Sequence, residues 1–169
     1  KGTVAEYLVT KGFHYHSLSD SLRDYAKKKR MEPTRANLTD LGNKLRVKHG
    51  PDVLAKLIRP RLNGLSIVDS IRNPAEVNEL RQEKKFILVG VSAPAKVRFL
   101  RSRERNRPGD PQTFRAFLRQ EQKENKSDIT RQQLNKCYRL ADLTISNSGT
   151  KPDLYRKIGR VLTKISRRL

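Results

Sequence analysis

The sequence predicts an α/β protein built on a parallel sheet, and three observations lead there. Four short runs, at 12–16, 65–69, 86–91 and 143–146, have the length and the apolar or aromatic content of strands. Segments with helical period separate each run from the next, and turn or capping residues such as Asn63-Gly64 and Gly50-Pro51 punctuate the joins. Strands divided by helices imply parallel pairing through right-handed crossovers, which places ligands beyond the carboxyl ends of the strands.

The elements follow in order. Val4, Ala5, Leu8 and Val9 recur at helical spacing over 4–11, and Gly12 stands where a helix-ending glycine belongs. A short strand at 12–16 alternates around Phe13 and Tyr15, and Ser17 or Ser19 can cap a helix running to about Arg30. Pro33 breaks the pattern, and a helix with Leu38, Leu41, Leu45 and Val47 then runs to Gly50-Pro51. A shorter helix spans 53–62, and the run at 65–69 ends in Asp69, as a buried strand with a polar end would. Pro74 suits the first turn of a helix carrying Val77 and Leu80. The strand at 86–91 is followed by a helix that Pro94 opens. After the 105–111 loop come helices at 113–124 and 131–140 and a last strand at 143–146. The final helix, 153–168, gathers Leu154, Ile158, Val161, Leu162 and Ile165 on one face.

At 169 residues and 19.5 kDa the chain suits one domain, 1–169. The longest apolar run, 86–91, is far short of the roughly 20 residues a membrane span needs. No leader opens the chain, so a membrane-spanning or secreted protein is not expected. One cysteine, Cys137, can supply neither an internal disulfide nor a cysteine-rich zinc cage, which fits a reducing cytoplasm. Lys and Arg number 38 against 17 Asp and Glu, a net charge of +21, so the partner is expected to be anionic. Nucleic acid and small phosphorylated metabolites both meet that description. His14 and His16 flank Tyr15 without an acidic or cysteine partner at metal-binding spacing.

The motifs sit at the strand ends. Lys1-Gly2-Thr3, followed at once by a helix, looks like the tail of a phosphate-binding loop of the G-K-G-T kind. Ser17-Leu18-Ser19-Asp20-Ser21-Leu22-Arg23 resembles the S-T-G-D-M-L-R segment of adenylate kinases, and Asp69-Ser70-Ile71-Arg72 resembles their D-G-F-P-R segment. Val91-Ser92-Ala93-Pro94, with Arg98, Arg101 and Arg105 after it, resembles the strand that leads into their lid helix. Ala141-Asp142-Leu143-Thr144-Ile145-Ser146-Asn147-Ser148-Gly149-Thr150 is similar to a turn of dephospho-coenzyme A kinases. The segments starting at Ser19, Gly42, Asp69 and Arg105 also resemble the kinase-like domain associated with deoxycytidylate deaminases, although one cysteine excludes the deaminase chemistry itself. Together these segments resemble the nucleoside monophosphate kinase-like P-loop family over nearly all of 1–158.

That resemblance implies a three-layer P-loop NTPase fold, with acceptor-binding helices at 17–62 and a lid-like region at 101–125. It implies ATP and Mg²⁺ as cofactors and phosphoryl transfer to a small phosphate-bearing acceptor, either dephospho-coenzyme A or a (deoxy)nucleoside monophosphate. Lys1, Gly2 and Thr3 would hold the ATP phosphates, with Asn147 and Gly149 beside the base. Thr3 and, through a water, Asp69 would hold the metal. Ser19, Asp20, Arg23 and Arg72 would grip the acceptor, and Arg101 and Arg105 would close over the γ-phosphate. Arginine suits these tasks because its planar fork meets phosphate with two hydrogen bonds. Two departures stand out. The glycine-rich loop and the strand before it, expected in mid-sheet, are not in the sequence, which reads as a fragment because it opens at Lys1 and has Met31 as its one methionine. Gly2 also stands where many such loops carry a magnesium-binding hydroxyl. The alternatives are a basic nucleic-acid-binding module, with 26–30 and 164–168 as its contacts, and a nucleotide sensor without turnover.

Overall fold

Strand and helix alternate along the chain as the apolar periodicity predicts, and the protein is α/β. The computed structural model describes residues 2–106, 109–125 and 128–167. In order these form α1 (Gly2–Val9), β1 (His14–Ser17), α2 (Leu18–Lys28), α3 (Arg35–His49) and α4 (Val53–Ile58), with a 3-10 turn at Arg59–Arg61. Then follow β2 (Ser66–Asp69), α5 (Pro74–Leu80), β3 (Val89–Ser92), α6 (Ala95–Arg105) and α7 (Phe114–Lys123). α8 (Leu134–Arg139), β4 (Leu143–Ser146) and α9 (Lys151–Ser166) complete the order.

The helices begin where capping chemistry places them. Thr34 accepts the Asn37 N–H to start α3, and Thr113 accepts that of Ala116 to start α7. Reciprocal capping boxes open α5 (Asn73 with Glu76) and α9 (Thr150 with Asp153), each with proline in the first turn.

Among the described residues the four strands pair in parallel, and one isolated antiparallel bridge joins Asn125 to Gln133. β1 lies beside β2, from His14 opposite Ser66 to Ser17 opposite Asp69, and β3 lies beside β4, from Val89 opposite Leu143 to Ser92 opposite Ser146. The sequence predicts one sheet, whereas the structure holds two pairs, because β2 and β3 share no ladder among the described residues. Boundaries shift by a few residues at several elements, and at two of them tertiary hydrogen bonds set the shift. β3 starts at Val89 rather than Phe86, because the Leu88 backbone is engaged by Asp142: its N–H donates to Asp142 Oδ2 at 2.7 Å, and its carbonyl accepts the Asp142 N–H at 2.9 Å. α8 starts at Leu134 rather than 131, because the Gln133 N–H donates to the Arg72 carbonyl at 2.7 Å.

Three apolar clusters hold these layers. Leu18, Leu22 and Ala26 of α2 pack on Leu38 and Leu41 of α3 and on Leu54 and Ile58 of α4. Val4 of α1 meets Ile145, Leu154 and Ile158 across β4 and α9, beside Tyr7 and Tyr155 stacked 4.4 Å apart. Val77, Leu88 and Cys137 join α5 to α8. Each fully buried leucine or isoleucine contributes about 1.5–3 kcal/mol of transfer free energy. The first two clusters therefore hold the helices of 17–62 and the α1–β4–α9 layer each as a packed unit.

Candidate functional site

A cleft of about 2010 Å³ opens beyond the carboxyl ends of the strands, where a parallel sheet places its ligands. Its walls include Asp69 and Ser70 at the end of β2, Ser92 and Ala93 beyond β3, and Asn147 beyond β4. A single-ligand pocket has about 300–1,000 Å³, so this cleft has room for two. Every residue nominated from the sequence lines it except Lys1, which lies outside the described residues, and Gly149.

Gly2 and Thr3 form the first turn of α1, where N–H groups have no intrahelical partner, and both line the cleft. A Cβ at Gly2 would meet nothing within 4 Å, so the packing alone does not demand glycine there. In the same cleft Arg23 Nη1 donates to Asp20 Oδ1 at 2.7 Å and to Ser19 Oγ at 3.1 Å. Those three residues share one face of α2 through their i, i+3 and i+4 spacing.

Asp69 ends β2 with its carboxylate beside two donors: Tyr15 Oη at 3.4 Å on Oδ2 and the Ser70 N–H at 2.5 Å on Oδ1. Burial, ahead of other causes, pushes the Tyr15 phenol up, and the Asp69 charge adds to the rise. Ser70 has φ +68°, the left-handed conformation at the position where the resembled kinase segment carries glycine. Its bond to Asp69 fixes the turn that delivers Arg72.

Arg72 is held from both ends. Its backbone N–H and that of Asn73 donate to Glu76 Oε2, at 2.8 and 3.1 Å. Glu76 Oε1 accepts Arg46 Nη2 at 2.7 Å and Nε at 3.1 Å, both side chains being buried. The Gly42 and Asp69 segments therefore clasp each other through Arg46 and Glu76. Gly42 makes room for this, since a Cβ there would meet Arg46 Nη1 at 3.3 Å and Leu22 Cδ1 at 3.2 Å. At its far end Arg72 Nη1 donates to Gln132 Oε1 at 2.8 Å. Burial pushes the Arg72 guanidinium down, Glu124 opposes the fall, and Arg35 and Arg46 add to it.

Arg98, Arg101 and Arg105 of α6 have internal partners. Arg98 meets Glu121 at 2.6 Å and the Ala93 carbonyl, tying α6 to α7. Arg101 donates to the carbonyls of Asn147, at 2.7 Å, and Gly149, at 3.4 Å, so it braces the turn after β4. Arg105 pairs with Asp110 at 2.9 Å. Gly149 has a packing reason of its own, because a Cβ there would stand 3.0 Å from the Asp153 carboxylate that caps α9. Cys137 is buried in the third apolar cluster, and burial pushes its thiol up to about 12, which makes it inert as a nucleophile near neutrality. Among the described residues no three His, Cys, Asp or Glu side chains converge as metal ligands, and no helix is long and apolar enough to cross a membrane.

The sequence reading missed Arg35, Glu124 and Gln132, all on the cleft. They come from segments remote from one another, and the one available signal was an arginine in the first turn of α3 just behind the Thr34 cap.

No family model matches the sequence. Among curated proteins, a UPF0200 protein of Pyrococcus horikoshii is 33% identical over 174 residues, covering 98% of this chain and 91% of that protein. A UPF0200 protein of Thermococcus gammatolerans is 31% identical, with 100% and 91% covered. A UPF0200/UPF0201 protein of Archaeoglobus fulgidus is 29% identical over 99% of this chain, which spans 53% of that longer relative.

Proposed function

This chain belongs to the UPF0200 protein family, and we propose that it serves ATP-dependent phosphoryl transfer to a small phosphate-bearing acceptor on a P-loop kinase type of fold. The observation that carries this reading is the convergence of the nominated residues on one two-ligand cleft at the strand ends. Phosphoryl transfer asks for two anions held in line and for neutralisation of charge on the equatorial and leaving oxygens. The residues that line the cleft include candidates for both parts: a helix N-terminus at Gly2 and Thr3, and guanidinium groups at Arg23 and Arg72.

Thr3 and Asp69 both line the cleft and would hold the magnesium ion, Thr3 by its hydroxyl and Asp69 through a water. That small donor set suits an ion that keeps several waters and takes its other oxygens from substrate phosphates. The ion supplies neutralisation of the phosphate charge. Arg72, fixed by Glu76, would orient the acceptor, and Arg101 and Arg105, which also line the cleft, would close over the γ-phosphate. Acceptor titrations at saturating ATP test the reading. Arg72→Ala is expected to raise the acceptor KM while leaving the ATP KM unchanged, and equal loss for both substrates would contradict it.

A second reading, a polyanion-binding module, draws on α9, where Arg156, Arg160, Lys164 and Arg167 lie exposed opposite the buried Leu154 and Ile158. Affinity for duplex or single-stranded nucleic acid falling steeply with salt, in the absence of phosphoryl transfer, would favour it.

A further inference from the structure

We propose that Arg35 and Arg72 form a two-guanidinium clasp for a phosphate monoester dianion, and that Glu124 is the internal anion which the monoester displaces. The inference rests on the acceptor-site reading above and narrows it to one class of acceptor.

Glu124 caps the C-terminus of α7, the negative end of a helix dipole, where a carboxylate is disfavoured unless cations face it. Two do. Arg35 Nε and Nη2 reach Oε1 at 2.7 and 2.6 Å, and Arg72 Nη1 reaches Oε2 at 3.5 Å. One carboxylate thus bridges two arginines on the wall of the cleft, as two oxygens of a phosphate would. The fit is lopsided: Arg35 is fully engaged, while the contact to Arg72 is beyond a good hydrogen bond. A tetrahedral group with three oxygens can meet both forks.

The oxygen count points to a monoester. Arg46 is paired with buried Glu76, while Arg35 and Arg72 face the two oxygens of Glu124 and Arg72 also feels the Asp69 charge. A terminal monoester brings three free oxygens and close to two negative charges to the two forks. A diester phosphate brings two free oxygens and one charge, as the carboxylate already does. The clasp therefore selects a terminal phosphate monoester, as in a nucleoside 5′-monophosphate. It disfavours dephospho-coenzyme A, in whose pyrophosphate diester neither phosphorus carries three free oxygens, and the phosphodiester backbone of a nucleic acid. The polar rim is built to the same end, since Gln132 bridges from Arg72 to Thr39 Oγ1 at 3.4 Å, and Thr39 in turn bonds the Arg35 carbonyl at 2.8 Å.

Calorimetric titration of the full chain tests this, with AMP, CMP, GMP and UMP, their methyl phosphodiesters, and dephospho-coenzyme A as probes. At least one monophosphate is expected to bind about tenfold or more tightly than its methyl ester and than dephospho-coenzyme A. Arg35→Ala should weaken the monophosphate about tenfold and leave the methyl ester little changed. Glu124→Gln keeps the shape of the side chain, removes the competing charge and should tighten the monophosphate, a gain that misfolding cannot produce. Equal affinity for ester and diester overturns the proposal, as does unchanged or weakened binding in Glu124→Gln. If Arg35→Ala has no effect while Arg72→Ala still weakens the monophosphate, the clasp fails and the acceptor site stands. If no probe binds the unmodified chain, both fail together.

Discussion

Arg46 and Glu76 show how a buried charge can serve a site it does not touch. The pair lies 2% and 0% exposed, and Glu76 spends its second oxygen on the backbone of Arg72 and Asn73. Removing one partner leaves the other charged and unpaired in the interior, which costs about 3–5 kcal/mol. Arg46→Ala is thus expected to lower stability by that amount in chemical denaturation. Cys137 gives a second check. With its thiol raised to about 12, chiefly by burial, it should stay unreactive toward a thiol reagent at pH 8 until the chain unfolds. The sign on stability follows: above the ordinary thiol value of 9.0 the unfolded chain loses a proton that the folded chain keeps, so stability falls as pH rises from 9.0 toward 12. Fast native-state labelling would contradict the packing. Residues at strand ends, such as Asp69 and Asn147, were legible in the sequence because the strand-helix alternation dictates their place. Arg35, Glu124 and Gln132 were not, because their meeting depends on how α3, α7 and the start of α8 pack, and no local pattern records that.

Elements were legible wherever a cap or a period marks them. Ser17 stands at the N-cap of α2, although its side chain makes no capping hydrogen bond, and Gly12, at φ +86°, follows the turn that ends α1. Boundaries set by tertiary hydrogen bonds were not legible, as with β3, shortened by Asp142, and α8, shortened by the Arg72 carbonyl. Asn73 joins the two kinds. Its Oδ1 accepts the Ala75 N–H at 2.9 Å to cap α5, while its Nδ2 donates to the carbonyls of Ile129 and Arg131 at 2.6 and 2.9 Å. Asn73→Ala should therefore cost more than an ordinary cap, about 2–4 kcal/mol, because it also strips partners from the 129–131 turn. Asn73→Ser keeps a capping oxygen and loses the two donated bonds. A loss smaller than that of Asn73→Ala is its expected outcome in thermal melts, and equal losses would show that the cap contributes nothing.

At the scale of the molecule, charge and sheet topology carry the account. A net charge of +21 draws anions of every kind to the surface, so salt dependence separates the cleft from that surface. Binding of a long polyanion should lose several powers of ten between about 50 and 200 mM salt, whereas a single phosphate group held by two arginines should lose far less. The sequence predicts a parallel sheet, and the structure has parallel strands in two pairs, with the nominated residues gathered at their carboxyl ends. The division between β2 and β3 is the one feature of the whole that periodicity could not report, because each strand reads the same whether or not it has a second neighbour. Phosphoryl transfer from ATP with magnesium to a nucleoside monophosphate, measured for the unmodified protein and for Arg72→Ala, tests the central claim most directly. Transfer whose acceptor KM rises about tenfold or more in the variant, at constant ATP KM, is the predicted result. Equal rises for both substrates, or no transfer to any phosphorylated acceptor, would contradict it.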